Sequence, residues 1–298
     1  MIKISVLTTV YNELFQQIRR CIISTKNQSS VEINVEHIIV IDNPTYPYIE
    51  KLNDLIKEVN NDFFQVILMI NSENIGIANS LNKAIINSSS NLLAKLDADD
   101  WMNEGRLYKQ SKLFKDSNLD VSYTDTILFD EKNKKIRCET SFDEKMLYKL
   151  LPIKNIISHS SVMFRKQSLL DIGMYRNLQP AEDYDLFLRL LKSGKKFIYL
   201  PEALTSREIR GNSISHSDLY YQMNMAKFVK KVNNSSKLSL ADKPLKENTA
   251  RSKRINRRIN QFRRSNGFRK LGVGLLSLYI IEDNIESLYF KFLTEVLK

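Results

Sequence analysis

Four short apolar or β-branched runs lie at 2–10, 35–41, 63–70 and 92–96, each bounded by polar residues; the first reads Ile2-Lys-Ile-Ser-Val-Leu-Thr-Thr-Val10. Runs of this length and composition predict strands. The stretches between them, 14–27, 48–59 and 77–88, change period. Ile18, Cys21 and Ile22, and then Leu52, Leu55, Ile56 and Val59, recur at the three- and four-residue spacing that lines one face of a helix. Strand and helix therefore alternate, which predicts an α/β fold: a mostly parallel sheet covered by helices on both faces, with right-handed crossovers. In such a sheet ligands bind outside the carboxyl ends of the strands, so the loops after the strands are the places to look for chemistry.

The alternation stops near residue 120. Asp120–Phe129 and Ile136–Cys138 flank a polar Asp130-Glu-Lys-Asn-Lys-Lys135 turn and predict a hairpin. A helix near 143–150, a strand near 156–164, a helix near 183–193 and a strand near 197–200 follow. From about 216 the pattern becomes helical and basic, with breaks expected at Lys243-Pro244 and Ser265-Asn-Gly267. The expected organisation is a catalytic domain over 1–215 and a C-terminal extension over 216–298.

Composition narrows the class. With 43% hydrophobic and 27% charged residues the chain is ordinary globular material, and 8 glycines and 6 prolines exclude collagen-like or linker-dominated architectures. Cys21 and Cys138 are too few for a disulfide scaffold or a cysteine-rich zinc site and point to a reducing cytoplasm. The first ten residues lack the features of a signal peptide, and Leu271–Ile281 is about half of the roughly 20 residues a spanning helix needs, so no transmembrane segment is expected. Of the net charge of +11, residues 216–298 carry +10. Within 243–270 there are 11 basic residues and one acidic one, a composition that attracts polyanions. Phe262, Phe268, Leu271, Leu275 and Leu276 beside Arg263, Arg264, Arg269 and Lys270 suit an anionic bilayer surface, packing on the catalytic domain or packing on another subunit.

The four loops after the early strands each hold a carboxylate: Tyr11-Asn12-Glu13, Asp42-Asn43-Pro44, Asn71–Gly76 with Glu73, and Asp97-Ala98-Asp99-Asp100. Three clustered aspartates repel one another, and oxygens at i and i+2 suit a hard cation such as Mg²⁺ or Mn²⁺ that also holds substrate phosphates. The simpler use of Asp99 or Asp100 is to cap a helix beginning near Met102. Glu182-Asp183-Tyr-Asp185 opens a helix whose Leu186/Leu190 and Phe187/Leu191 pairs face inward. Its acidic first turn either complements the helix dipole or supplies a general base. His159 is either a metal ligand or a satisfied core histidine. Tyr11 either stacks on a nucleobase or packs against the first crossover helix. Phosphate-loop and dinucleotide fingerprints are missing, because Gly272-Val-Gly274 runs into Leu-Leu.

Taken in order, the segments Ile4–Glu13, Ile39–Asp42, Asn74-Ile-Gly76, Lys95–Asp100, His159–Arg165, Ile172–Tyr175 and Glu182–Arg189 resemble the inverting glycosyltransferases of the large family two, which have the GT-A fold. The resemblance spans about residues 2–215. It implies a nucleotide-sugar donor, UDP-linked, with Thr9, Tyr11, Glu13 and Asp42 around base and ribose, Asp42 reading the pyrimidine edge. Asn74, Gly76, Lys95 and Asp97 join the donor site. Asp99, with Asp97, would hold Mn²⁺ or Mg²⁺, and Asp183 would be the base that deprotonates a glycan or lipid-linked acceptor. Glu182, His159 and Arg210 are further candidates. The implied setting is surface-polysaccharide assembly at the inner face of the cytoplasmic membrane. The chain departs from the family where Asp42-Asn43-Pro44-Thr45 replaces Asp-Asp-Gly-Ser, where Arg207-Glu-Ile-Arg210 replaces an Arg-x-His pattern, and where Lys95 replaces arginine. Two rival readings are a nucleotidyltransferase, which a glycine-rich loop after the first strand would favour, and a nucleic-acid binder acting through 243–270.

Overall fold

The computed structural model describes residues 1–115, 118–139, 141–209, 219–234 and 239–244. The basic segment 243–270 is thus almost wholly, and Arg210 entirely, outside the described residues. The chain divides into two compact units, residues 1–148 with 156–210 and residues 149–155 with 211–298. In the second unit helix α8 (Leu219–Asn234) buries Met225, Phe228 and Val229, and Lys230 Nζ donates to the Ile153 carbonyl at 3.3 Å.

The first unit is built on a nine-stranded sheet. Its opening half alternates as the periodicity predicts: β1 (Ile2–Val10), α1 (Phe15–Lys26), β2 (Ile33–Ile41), α2 (Ile49–Val59), β3 (Phe64–Ile70), α3 (Ile77–Asn87) and β4 (Leu92–Lys95). These strands are parallel and stand in the order β3-β2-β1-β4. The two residues that form β5 (Trp101–Met102), helix α4 (Arg106–Leu113), the hairpin of β6 (Val121–Phe129) and β7 (Lys135–Glu139), and helix α5 (Glu144–Leu150) follow. A 3₁₀ turn at His159–Ser161 leads into β8 (Met163–Arg165) and α6 (Lys166–Asp171), and α7 (Glu182–Lys192) and β9 (Phe197–Glu208) complete the unit. The sheet continues from β4 through β8, β6 and β9 to β5. β8 runs antiparallel between β4 and β6, while β6 and β9 are parallel.

The core follows from the pattern. On β1 and β2 nearly every side chain is enclosed, Ile4, Val6, Val35, Ile39 and Ile41 among them, because helices cover both faces. Ile18, Cys21 and Ile22 of α1 and Leu52, Leu55 and Val59 of α2 supply the stripes that cover them.

Three expectations are corrected. The strand expected over 156–164 is confined to Met163–Arg165. Ahead of it, the N–H and Oγ of Ser161 both donate to the Ser158 carbonyl, at 3.0 and 2.8 Å, and curl the chain into the turn that carries His159. The helix expected near Met102 starts at Arg106 instead, because Trp101 and Met102 pair with β9. Gly105, at φ 74°, is its cap, so neither Asp99 nor Asp100 serves there. The strand expected over 197–200 runs on to Glu208. Pro201 does not end it, because the β6–β9 register skips from Thr124↔Leu200 to Asp125↔Ala203 and passes the proline by in a bulge.

Candidate active site

The chain leaves β1 towards β2 and β3, then returns to place β4 on the other side of β1. That reversal is a topological switch point, and it opens a crevice between the carboxyl ends of β1 and β4. Leu96 N–H still reaches the Leu7 carbonyl at 3.1 Å, after which the strands part and Asp97–Asp100 turns across the opening. The Asp100 N–H closes that turn on the Asp97 carbonyl at 3.1 Å, and Ser160 Oγ accepts the Asp97 N–H at 3.0 Å. Antiparallel β8 explains the second contact: its first residue, Met163, faces Ala94, so the chain before β8 must lie over the end of β4.

Lys95 is enclosed and its Nζ meets Asp97 Oδ1 at 2.5 Å. Burial would raise the Asp97 pKa, but Lys95, with a hydrogen bond from Ser160, holds it well below the usual carboxylate range. Asp100 moves the other way, because burial and then Asp99 and Asp97 push it well up, with Arg207 opposing. Glu13 is also raised, first by burial and in smaller part by Asp99 and Asp97. Glu13, Asp97, Asp99 and Asp100 therefore share one field of like charge, an arrangement that gains from a cation. No three His, Cys, Asp or Glu side chains among the described residues form a ready metal cage. The donor set instead fits the manner in which Mg²⁺ or Mn²⁺ takes one or two carboxylates and completes its shell with phosphate and water.

On the β1 and β2 side, Glu13 Oε2 accepts the Tyr11 N–H at 2.7 Å, and the Tyr11 ring is exposed. Thr9 is half-buried near the end of β1, beside Val40. Asp42 is enclosed, and its carboxylate accepts three bonds: from Asn71 Nδ2 at 2.8 Å and from the N–H groups of Ile75 and Gly76 at 2.9 Å each. The Gly76 N–H is shared with Asn74 Oδ1 at 3.0 Å, and Gly76 takes φ 83°, a conformation that favours glycine. Asn43, where the family carries a second aspartate, donates from Nδ2 to the Tyr11 carbonyl at 3.1 Å and to Asn12 Oδ1 at 3.2 Å. An aspartate has no such donor, so here the amide ties the first two loops together.

The opposite wall is the acidic start of α7. Glu182 is enclosed, its Oε2 lacks a hydrogen-bond partner, and burial followed by Asp183 pushes its pKa up to about 8. Asp183 is half-buried, and its Oδ1 accepts the Tyr184 N–H at 2.7 Å. Asp185, two residues on, is structural: it pairs with Arg189 at 2.8 Å. Arg189 in turn donates to the Ile172 carbonyl at 2.7 Å and the Met174 carbonyl at 2.5 Å, holding Gly173 and Met174 in left-handed conformations. Asn82 of α3 grips the next residue, Tyr175, by both its N–H and its carbonyl at 2.9 Å. The Tyr175 hydroxyl, so positioned, meets His159 Nε2 at 2.7 Å. His159 packs on the rings of Tyr175 and Phe187, and burial with Lys95 lowers its pKa to about 3, so the ring is neutral. Nε2 is thereby engaged by tyrosine.

The structure thus brings Glu13, Lys95, Asp97, Asp99, His159 and Glu182 to one crevice, with Tyr11 at its rim and Asp42, Asn74 and Gly76 on the adjoining loops. Tyr175, Ser160, Arg20 and Arg207 are contributors that sequence reasoning did not single out. Arg20 of α1 donates from Nη2 to the Asp99 carbonyl at 2.9 Å and to Glu208 at 3.2 Å, and lies 3.8 Å over the Trp101 ring. The acidic turn is therefore braced from outside. An arginine on a crossover helix next to the inward-facing Cys21 was the available signal.

Residues 5–173 match the profile of Glycosyl transferase family 2. An uncharacterized glycosyltransferase of Methanocaldococcus jannaschii is 28% identical over 218 residues, 71% of this chain and 73% of that protein. The amylovoran biosynthesis glycosyltransferase AmsE of Erwinia amylovora is 27% identical over 202 residues, 67% and 74% of the two chains. The crystal structure of S. aureus TarS 1–349 in complex with UDP-GlcNAc superposes with a TM-score of 0.59 at 16% identity, over 81% of this chain and 69% of that one. The fold is the GT-A arrangement that the ordered loops imply.

Proposed function

The chain belongs to glycosyl transferase family 2, and on that premise we propose that it moves a hexosyl or N-acetylhexosaminyl group from a UDP-sugar to a hydroxyl of a glycan or lipid-linked saccharide, with inversion. The observation that carries this reading is the opposition of two acidic walls across the switch-point crevice, Asp97–Asp100 on one side and Glu182-Asp183 on the other, with His159 and Tyr175 between them. The neighbour bound to UDP-GlcNAc and the amylovoran relative support the donor and acceptor classes.

In this reading the nucleoside lies along Thr9, Tyr11 and Glu13. Asp42 fixes the Asn74–Gly76 turn, and the remaining lone pair on Oδ2 faces the pyrimidine edge. Asp99, with Asp97, would hold Mn²⁺ or Mg²⁺, which when bound would neutralise charge on the departing nucleoside diphosphate. Lys95 keeps Asp97 ionised and adds positive charge beneath the phosphates. Asp183 takes the proton from the acceptor hydroxyl as the oxygen attacks the anomeric carbon and the bond to the diphosphate breaks, so an α-linked donor gives a β-linked product. The neutral His159 ring orients Tyr175 without adding charge to the crevice. No described helix is long and apolar enough to cross a membrane. The basic composition of 243–270 supports association with the anionic inner face of the cytoplasmic membrane.

The test is a panel of UDP-sugars with Mn²⁺, reading UDP release with and without saccharide acceptors and assigning the anomeric configuration of the product by NMR. A β-linked product from an α-linked donor supports the reading. A product of retained configuration, or turnover with other nucleotides only, overturns it.

A further inference from the structure

Helix α4 opens with Arg106, whose side chain is wholly enclosed by the protein. Its hydrogen-bond partners are uncharged. Nε donates to Gln110 Oε1 at 3.0 Å, Nη2 to the carbonyls of Lys95 and Val162 at 3.0 and 3.2 Å, and Nη1 is buried without a partner. A guanidinium taken out of water without a carboxylate in contact carries a large desolvation cost, and a leucine or methionine at this place would fill the space without it. Burial lowers the Arg106 pKa to about 9, and the negative field of Asp100 is the first influence that opposes the fall.

The carbonyls that Arg106 holds mark a particular place. Val162 O also accepts the Lys95 N–H at 3.0 Å, the last rung before β4 and the chain entering β8 separate. Beyond that rung one branch supplies Asp97 and Asp99, and the other supplies Ser160 and His159. Gln110, one helical turn on, extends the same grip by donating to the Ser161 carbonyl at 3.0 Å and to Ser122 Oγ at 2.9 Å. Arg106 and Gln110 form a fork inserted where the floor of the crevice divides.

We propose that Arg106 is a positioning residue for the diphosphate and metal end of the donor site, fixing the angle at which the Asp97–Asp100 turn and the His159–Ser161 turn leave their shared rung. The proposal rests on the reading that Asp97 and Asp99 face the donor diphosphate. Lysine in its place keeps a charge but has one nitrogen and no fork, so it cannot span both carbonyls while anchored on Gln110.

The experiment measures UDP binding with Mn²⁺, and uridine binding, by calorimetry on the full chain, for wild type, Arg106→Lys and Leu52→Ala. Leu52 is a core residue of α2 and not one of the crevice residues, and its truncation supplies a comparison in which stability falls without a change at the crevice. The expected result is a loss of at least tenfold in UDP–Mn²⁺ affinity for Arg106→Lys, with uridine affinity kept within twofold and Leu52→Ala unchanged on both. Equal UDP–Mn²⁺ affinity in Arg106→Lys and wild type overturns the proposal, as does a parallel loss of uridine and UDP, which marks a merely structural role. Should Arg106→Lys fail to fold, Gln110→Met loosens the same fork and must show the same contrast. A wild-type chain that binds no UDP with Mn²⁺ overturns the reading of the site itself, and the proposal falls with it.

Discussion

The Tyr175 hydroxyl and His159 Nε2 lie 2.7 Å apart, and this one bond joins the two walls of the crevice. His159 belongs to the turn that supports Asp97, and Tyr175 is gripped by Asn82 beside a turn clamped from α7 by Arg189. Burial raises the Tyr175 pKa well above its ordinary value, and Asp183, Glu182 and Asp97 add to the rise, so the hydroxyl stays protonated and feels both acidic groups.

Tyr175→Phe removes the hydroxyl and leaves the ring. The expected cost is about 1–3 kcal/mol, because the His159 nitrogen loses its partner inside the protein. Denaturant unfolding measures this cost. Because the hydroxyl couples the walls, kcat should fall several-fold while UDP affinity changes little. An unchanged kcat would mean the walls keep their spacing without it.

Asp183→Asn keeps the shape of the side chain and removes its basicity. A general base contributes on the order of 10²–10⁴ in rate, so sugar transfer should fall by that factor while UDP binding stays within a few-fold of wild type. Transfer at the wild-type rate would remove Asp183 from the role of base and leave the neighbouring carboxylates to be tested.

Asp99→Ala bears on the cation. A ligand present at about 100 times its Kd adds roughly 2.7 kcal/mol to the native state. In wild type, UDP with Mn²⁺ should therefore raise the melting temperature more than UDP alone. In Asp99→Ala the increment due to Mn²⁺ should vanish. If the variant keeps that increment, the metal is held elsewhere.

Gly76→Ala tests the loop that Asp42 supports. An added Cβ would have only Asn177 Oδ1 within reach, at 4.0 Å, so crowding is not the obstacle. The obstacle is φ 83° with ψ 157°, which alanine adopts at a cost of about 1–3 kcal/mol. Lower stability together with weaker UDP binding is expected. A loss of stability alone would place the loop outside the donor site.

The parallel half of the fold was legible because its period is local. The alternating strands and helices up to β4 follow from side chains that fill one face or both, and the carboxylates at the strand ends follow from the switch-point rule. The less legible parts depend on partners distant in sequence. β8 starts only at Met163 because the Ser158–Ser161 turn curls the chain ahead of it, and its place between β4 and β6 depends on partners that no local pattern announces. β9 runs past Pro201 because β9 itself bulges there and leaves the proline out of the ladder. The resemblance assigns Asp42 to the pyrimidine edge of the donor, whereas Asp185 is one of the acidic first-turn residues of α7, open to a dipole or a base role. Only the three donors around Asp42 and the arginine beside Asp185 show that both hold structure in place.

Glu182 offers a test of how the adjacent carboxylates divide their work. Its folded-state pKa of about 8 stands above the ordinary value of 4.5, so between those limits the native state keeps a proton that the unfolded chain has lost. The associated stability is fully present below pH 4.5 and is lost as the pH rises through 8. Glu182→Gln mimics the protonated form at every pH. Its melting temperature should match wild type below pH 4.5, exceed it increasingly between pH 4.5 and 8, and keep a constant excess above that. Parallel profiles would show that Glu182 is ionised in the native state. A neutral Glu182 beside Asp183 leaves one negative charge on that wall, the condition under which one carboxylate serves as base while its neighbour does not compete for the proton. The same titration should then appear in catalysis. Above pH 8 the second charge on Glu182 would raise the proton affinity of Asp183 and alter the pH profile of kcat, and in Glu182→Gln that upper inflection should be missing.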